Sequence, residues 1–181
     1  MKTPRLLSLV ALLAVLAPAG FAQQTAPASP PAASAQPPAR PPVNHDFDFW
    51  AGDWEVFSRD GRLIGLNKVE LVAGGYGLLE NWAAVGATQN GKSLNSYNPA
   101  TGQWQQYWVG SGGQTAEYKG GLVDGKMVMI AESVTPRGAK YLTRGTWTPN
   151  PDGTVRQQFE ISTDEGKTWQ GTFDGLYRRK S

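Results

Sequence analysis

From Asp46 to the C-terminus, apolar and polar residues alternate with a period of two, the pattern of strands that bury one face and expose the other. Runs rich in Val, Thr, Trp, Tyr and Phe predict about ten strands, near 53–59, 62–72, 76–86, 91–97, 103–110, 114–121, 126–134, 139–148, 154–163 and 167–179. Turn chemistry separates them. Asn90-Gly91, Asp124-Gly125 and Asp152-Gly153 are hairpin signals, Gly112-Gly113 and Gly120-Gly121 read as hairpin turns, and Pro99, Pro136, Pro149 and Pro151 fall in turn-like stretches. The links are short, which favours an up-and-down meander, and a meander of eight to ten strands can close on itself. The expected fold is therefore all-β, a single antiparallel barrel of about ten strands.

A cluster of aromatics marks where this barrel begins. In Phe47-Asp48-Phe49-Trp50-Ala51-Gly52-Asp53-Trp54, four large rings fall within eight residues and must be buried. The stretch predicts a short helical turn that plugs one end of the barrel, with Trp54 opening the first strand. No other segment has a sustained helical period.

Upstream the composition changes. Lys2 and Arg5, the apolar run Leu6–Leu16 and the small-x-small site Gly20-Phe21-Ala22 read as a secretory signal over residues 1–22, cleaved near Ala22. Residues 23–45 read as a disordered linker, since the 21 residues from Gln23 to Val43 hold seven prolines and one charge, Arg40. The barrel domain is expected over 46–181. Export to the periplasm or medium follows, as a soluble protein without stable membrane insertion. The whole chain has 17 basic and 15 acidic residues, and losing Lys2 and Arg5 leaves 15 of each. A neutral mature chain lacks the basic footprint of a nucleic-acid binder. With no cysteine, thiol catalysis, thiolate metal sites and lipid tethering through cysteine are excluded, and the core must hold the domain without disulfides.

Gly52-Asp53-Trp54 at the head of the first strand resembles the Gly-x-Trp signature of lipocalins and their calycin relatives. That resemblance implies a Trp closing the barrel floor with a basic residue of the last strand, Arg178 or Arg179, packed over it. More closely, the chain resembles a family of small bacterial exported proteins with a calycin-like barrel, catalogued as a domain of unknown function. The pieces that carry this likeness are Phe47–Trp54, Glu80-Asn-Trp82, Gly91–Tyr97, Trp104–Val109, Asp164–Trp169 and Phe173–Tyr177. The related nitrobindin barrels ligate haem through a His late in the barrel. The sole His of this chain is His45, so no haem, and no other cofactor or metal, is expected.

Strand alternation nominates the ligand-facing residues. Glu80 and Trp82 share a face of the third strand, Ser93, Asn95 and Tyr97 one of the fourth, and Trp104, Gln106 and Trp108 one of the fifth. Turned inward, these would set a few polar groups among aromatics, the make-up of a small-molecule pocket, or else a self-satisfied polar network in a filled core. Arg144 is the expected interior partner of Glu80. Trp50, Gly52, Trp54 and Arg179 are assigned to structure. So are Asp164, Gly166 and Trp169, because Ser162–Trp169 fits an Asp-box turn that occurs once, and 46–181 is too short for a propeller. No catalytic set is legible, and Glu80 is the one plausible acid or base. Three roles stay open: a binding barrel for a small apolar or amphipathic ligand, an enzyme using Glu80, and an envelope interaction module without a lumenal ligand.

Overall fold

The computed structural model describes residues 39–181. The expected signal peptide and residues 23–38 of the expected linker lie outside the described residues. Ten strands follow one another: β1 Gly52–Phe57, β2 Leu63–Val72, β3 Gly77–Ala84, β4 Asn90–Asn98, β5 Gln103–Gly110, β6 Thr115–Val123, β7 Lys126–Val134, β8 Lys140–Pro149, β9 Val155–Ser162 and β10 Gln170–Arg179. Each pairs antiparallel with its neighbour in sequence, and β10 returns to pair with β1. The sheet is a closed up-and-down barrel, as the alternation predicts, so it has no free edge.

The barrel has one plugged end. Short 3-10 turns at Pro42–His45 and Asp48–Trp50 precede β1. Phe47 stacks on Trp50 with centroids 5.0 Å apart and meets Trp104 and Trp147 edge-on at 5.7 and 5.4 Å. All four rings are buried. Rings of this size each remove roughly 150–250 Å2 from water, so the plug supplies a large share of the buried apolar surface. The indole N–H of Trp54 donates to the Trp50 carbonyl at 2.9 Å, and the Arg179 guanidinium lies 4.5 Å over the Trp54 ring. Gly52 leaves room for that arginine, since a Cβ there would stand 2.5 Å from its Nη1.

Three features differ from the expectations. The segment Arg40–His45, assigned to the linker, belongs to the folded domain. Arg40 donates to the Gly75 carbonyl at 2.5 Å, to the Asn44 carbonyl at 3.1 Å and to both carboxylate oxygens of Asp48 at 3.1 and 2.7 Å. Asn44 is buried. A proline-rich composition describes the average of a segment, and one arginine with four acceptors overrides it locally. Next, Asn90-Gly91 makes no turn, because it lies inside β4 and the chain reverses over 85–89 with Gly86 at φ 75°. Lastly, Gly120-Gly121 lies inside β6, where a Cβ on Gly120 would sit 2.0 Å from the Val128 carbonyl oxygen. Close approach of β6 to β7, and not a reversal, requires that glycine.

Candidate functional site

The end opposite the plug is open. Alternation along each strand turns Glu80, Trp82 and Ala84 of β3, Gln106 and Trp108 of β5, Tyr118 of β6, Thr143 of β8, Gln157 and Phe159 of β9 and Phe173 and Tyr177 of β10 toward a common cavity of about 550 Å3. Val85, Ala87 and Gln89 of the β3–β4 loop complete its lip. Its upper wall is aromatic. Trp82 meets Phe173 edge-on at 6.1 Å, and Phe159 lies 5.7 Å from Tyr118 and 6.2 Å from Phe173.

The two mouth tryptophans rest on glycines of the preceding strand. A Cβ on Gly65 would fall 2.1 Å from the Trp82 ring, and a Cβ on Gly91 2.1 Å from the Trp108 ring. An Asn-Gly pair that reads as a turn is thus a seat for an indole. The absent side chain lets each ring lie flat against the wall and leaves the lumen open between them.

Below the aromatics runs a belt of polar side chains. The Asn67 amide of β2 donates to Glu80 Oε1 at 2.8 Å, and the Ser93 hydroxyl of β4 donates to Glu80 Oε2 at 2.6 Å. Asn95 Nδ2 donates to Ser93 Oγ at 2.9 Å and to the Leu78 carbonyl at 3.2 Å, while Gln106 Nε2 donates to Asn95 Oδ1 at 2.8 Å. On the other side of Asn67, its amide nitrogen is 3.5 Å from the Tyr177 hydroxyl, which donates to Gln157 Oε1. The belt links β9, β10, β2, β3, β4 and β5, and every member is buried. Such a network fixes each rotamer, because breaking one bond strands a desolvated partner.

Glu80 is the charged member. Burial pushes its carboxyl up to about 7, and this outweighs the downward pull of the Ser93 and Asn67 hydrogen bonds. Burial, aided by the nearby Glu80 charge, also raises the Tyr177 hydroxyl well above its usual 10. Tyr118 is pushed up to about 12, again chiefly by burial. Tyr118 and Tyr177 therefore enter the cavity as neutral hydroxyls.

Of the nominated residues, Glu80, Trp82, Gln106 and Trp108 line the cavity. Ser93 and Asn95 lie behind Glu80 and position it through the belt. Tyr97 points inward but belongs to the plugged end, 6.2 Å from Trp104. Arg144 is corrected outright: it is on the outer face of β8, where Nε and Nη2 bond Glu160 Oε2 at 2.9 and 2.7 Å and the guanidinium covers Trp169 at 4.1 Å. In the β8–β9 register Arg144 stands directly opposite Glu160, so a salt bridge on the outer surface forms without desolvating either group in the lumen. Asn67, Tyr177 and Tyr118 also belong to the belt and the cavity, and no motif in the sequence marks them as site residues. The phase of Asn67 with Val69 along β2 was the available signal, since Val69 is core and residues two apart share a face.

His45 lies away from the lumen, with Nδ1 2.8 Å from Asp48 Oδ2 beside Arg40. A scan of protein-family models finds none that matches this chain, and a search of curated proteins likewise finds no match.

Proposed function

We propose that this chain is an exported, soluble, calycin-like carrier that holds one small apolar or amphipathic molecule in its lumen. The observation that carries the reading is the cavity of about 550 Å3, walled by aromatics and floored by a bonded polar belt. Volumes of this order suit a single small ligand, and mostly apolar walls with a few fixed polar groups are the usual composition of such sites. Export is supported by the succession of basic, apolar and small-residue stretches in the sequence of residues 1–22, and the likeness of Gly52-Asp53-Trp54 to lipocalins fits a Trp–Arg closed floor. A filled core fits poorly with a cavity of about 550 Å3 bordered by half-buried Trp82 and Trp108.

The test has two arms. Native mass spectrometry of protein taken from its own extracellular or periplasmic fraction should show an added small-molecule mass. In the second arm, Ala84→Trp, which fills the cavity at the lip, should abolish both that mass and the binding of an apolar fluorescent probe such as N-phenyl-1-naphthylamine. Protein that carries no added mass and takes up no probe displaceable by this substitution would end the proposal.

A further inference from the structure

The charge distribution inside the barrel is one-sided. Glu80 is the only ionisable carboxylate among the residues that line the cavity, and no Lys, Arg or His is among them. The basic residues nearest the lumen in sequence turn elsewhere: Arg144 bonds Glu160, Arg156 bonds Asp174 at 2.8 and 2.5 Å, and Arg179 covers Trp54 at the plugged end. An anionic ligand would enter with no counter-ion and would meet Glu80. The Glu80 carboxylate also has acceptor capacity to spare. Both Glu80 oxygens already accept one hydrogen bond, and a carboxylate can accept further ones. Behind Glu80, outside the residues that line the cavity, Asn67 Oδ1 is buried without a donor. What the cavity lacks is a positively charged group to face Glu80.

We propose that the cavity selects a ligand with a protonated amine on an apolar body, with the Glu80 carboxylate as counter-ion; this deepens the carrier role proposed above and rests on it. An ammonium brings three donors and no acceptor, which matches the spare acceptor capacity of the Glu80 carboxylate. Its bond to a desolvated carboxylate is of the stronger, charge-assisted kind. The indole faces of Trp82 and Trp108 at the mouth favour passage of a cation, since aromatic faces attract positive charge. The side chains that face Glu80 from the packed strands are Asn67 of β2, Ser93 of β4, Gln106 of β5 and Tyr177 of β10, none of them charged near neutrality. Nothing else in the belt therefore titrates between acid and neutral pH. Bound amine holds Glu80 ionised, so binding tightens as pH rises through the carboxyl's transition.

Three probes of one shape separate the possibilities: 4-phenylbutylamine, 4-phenylbutan-1-ol and 4-phenylbutanoate, titrated calorimetrically into the full-length chain. At about pH 8, where an alkylamine is still charged, the amine should bind about tenfold or more tighter than the alcohol, and the carboxylate weakest. Glu80→Gln should bring amine and alcohol to within about threefold of each other. A measurement on the unmutated chain stands beside it: titration in buffers of differing ionisation enthalpy near pH 7 should show release of roughly half a proton per amine bound. Alcohol binding equal to or tighter than amine binding would overturn the amine assignment, an amine preference that survives Glu80→Gln would overturn Glu80 as the counter-ion, and either result leaves the carrier role standing. Failure of all three probes at millimolar concentration would overturn both.

Discussion

At the scale of single residues, Glu80 decides the pH response. Its carboxyl is moved from the ordinary 4.5 to about 7 because burial costs the carboxylate more than the Ser93 and Asn67 bonds return. A folded-state value above the unfolded one means that the native chain holds the proton more tightly. The stability contributed by Glu80 is then fully present below about pH 4.5, is lost as pH rises toward 7, and does not change above that. At roughly 1.4 kcal/mol per unit the decline amounts to about 3 kcal/mol. Urea midpoints across this range should fall for the natural chain relative to Glu80→Gln, which cannot ionise. Parallel curves for the two would mean that Glu80 titrates as in water. The same residue measures what alternation can and cannot tell. Period two put Glu80, Ser93, Asn95 and Gln106 on inward faces, and they are there. It also left Arg144 as the expected partner of Glu80, because neutralising a buried charge calls for a cation, whereas Asn67 and Ser93 supply neutral donors instead. Which of two solutions a buried carboxylate takes depends on cross-strand register, and register is not written in any one strand.

At the scale of elements, glycine and asparagine carry different meanings in look-alike dipeptides. Asp124-Gly125 turns β6 into β7 with both residues at positive φ, 48° and 74°, as a two-residue hairpin requires. Asn90-Gly91 has the same letters of punctuation and runs straight, because the Trp108 ring occupies the space a Cβ would take. The difference comes from a residue seventeen positions away and so is invisible locally. By contrast the β9–β10 turn was readable in full. Asp164 accepts from the Thr168 amide at 2.9 Å and hydroxyl at 2.6 Å, Ser162 accepts from the Gly166 amide at 2.8 Å, and the Trp169 indole donates to the Gly166 carbonyl at 3.0 Å. Those contacts are all within eight residues, and they hold Asp164 down at about 2. Gly120 gives the sharpest test of the first kind. Since a Cβ would stand 2.0 Å from a backbone oxygen of β7, Gly120→Ala must push two paired strands apart. Overpacking of that sort costs about 1–3 kcal/mol, and the urea midpoint should drop accordingly with the slope unchanged. Gly121→Ala, with open space around it, is the control that should cost less. Equal losses for the two would remove close approach as the reason for the first glycine.

At the scale of the whole molecule, closure joins the two ends of the domain, and the seam is its shortest pairing. β1 and β10 are matched over Trp54–Phe57 against Leu176–Arg179, whereas β2 and β3 are matched over eight consecutive positions from Gly65 to Val72. Every other pairing is a hairpin between neighbours in sequence, so each closes a small loop, while the seam must close the entire barrel. Closing so long a loop costs more chain entropy than closing any one hairpin. What holds the seam is side-chain packing: Arg179 over Trp54, Trp54 edge-on to Tyr177 at 6.2 Å, and Arg178 over Phe57 at 4.7 Å. A short ladder secured at its plugged end should open from the mouth side. In native-state hydrogen exchange, amides of Val56 and Phe57 should therefore exchange through smaller openings than amides of β7 and β8, which are paired over Met127–Val134. Trp54→Phe keeps an aromatic but gives up the indole bond to Trp50, and it should widen the gap by lowering protection along β1 while leaving β7 and β8 unchanged. Uniform protection around the barrel in both proteins would mean that the ten strands open only together, and that the seam is no weaker than the hairpins beside it.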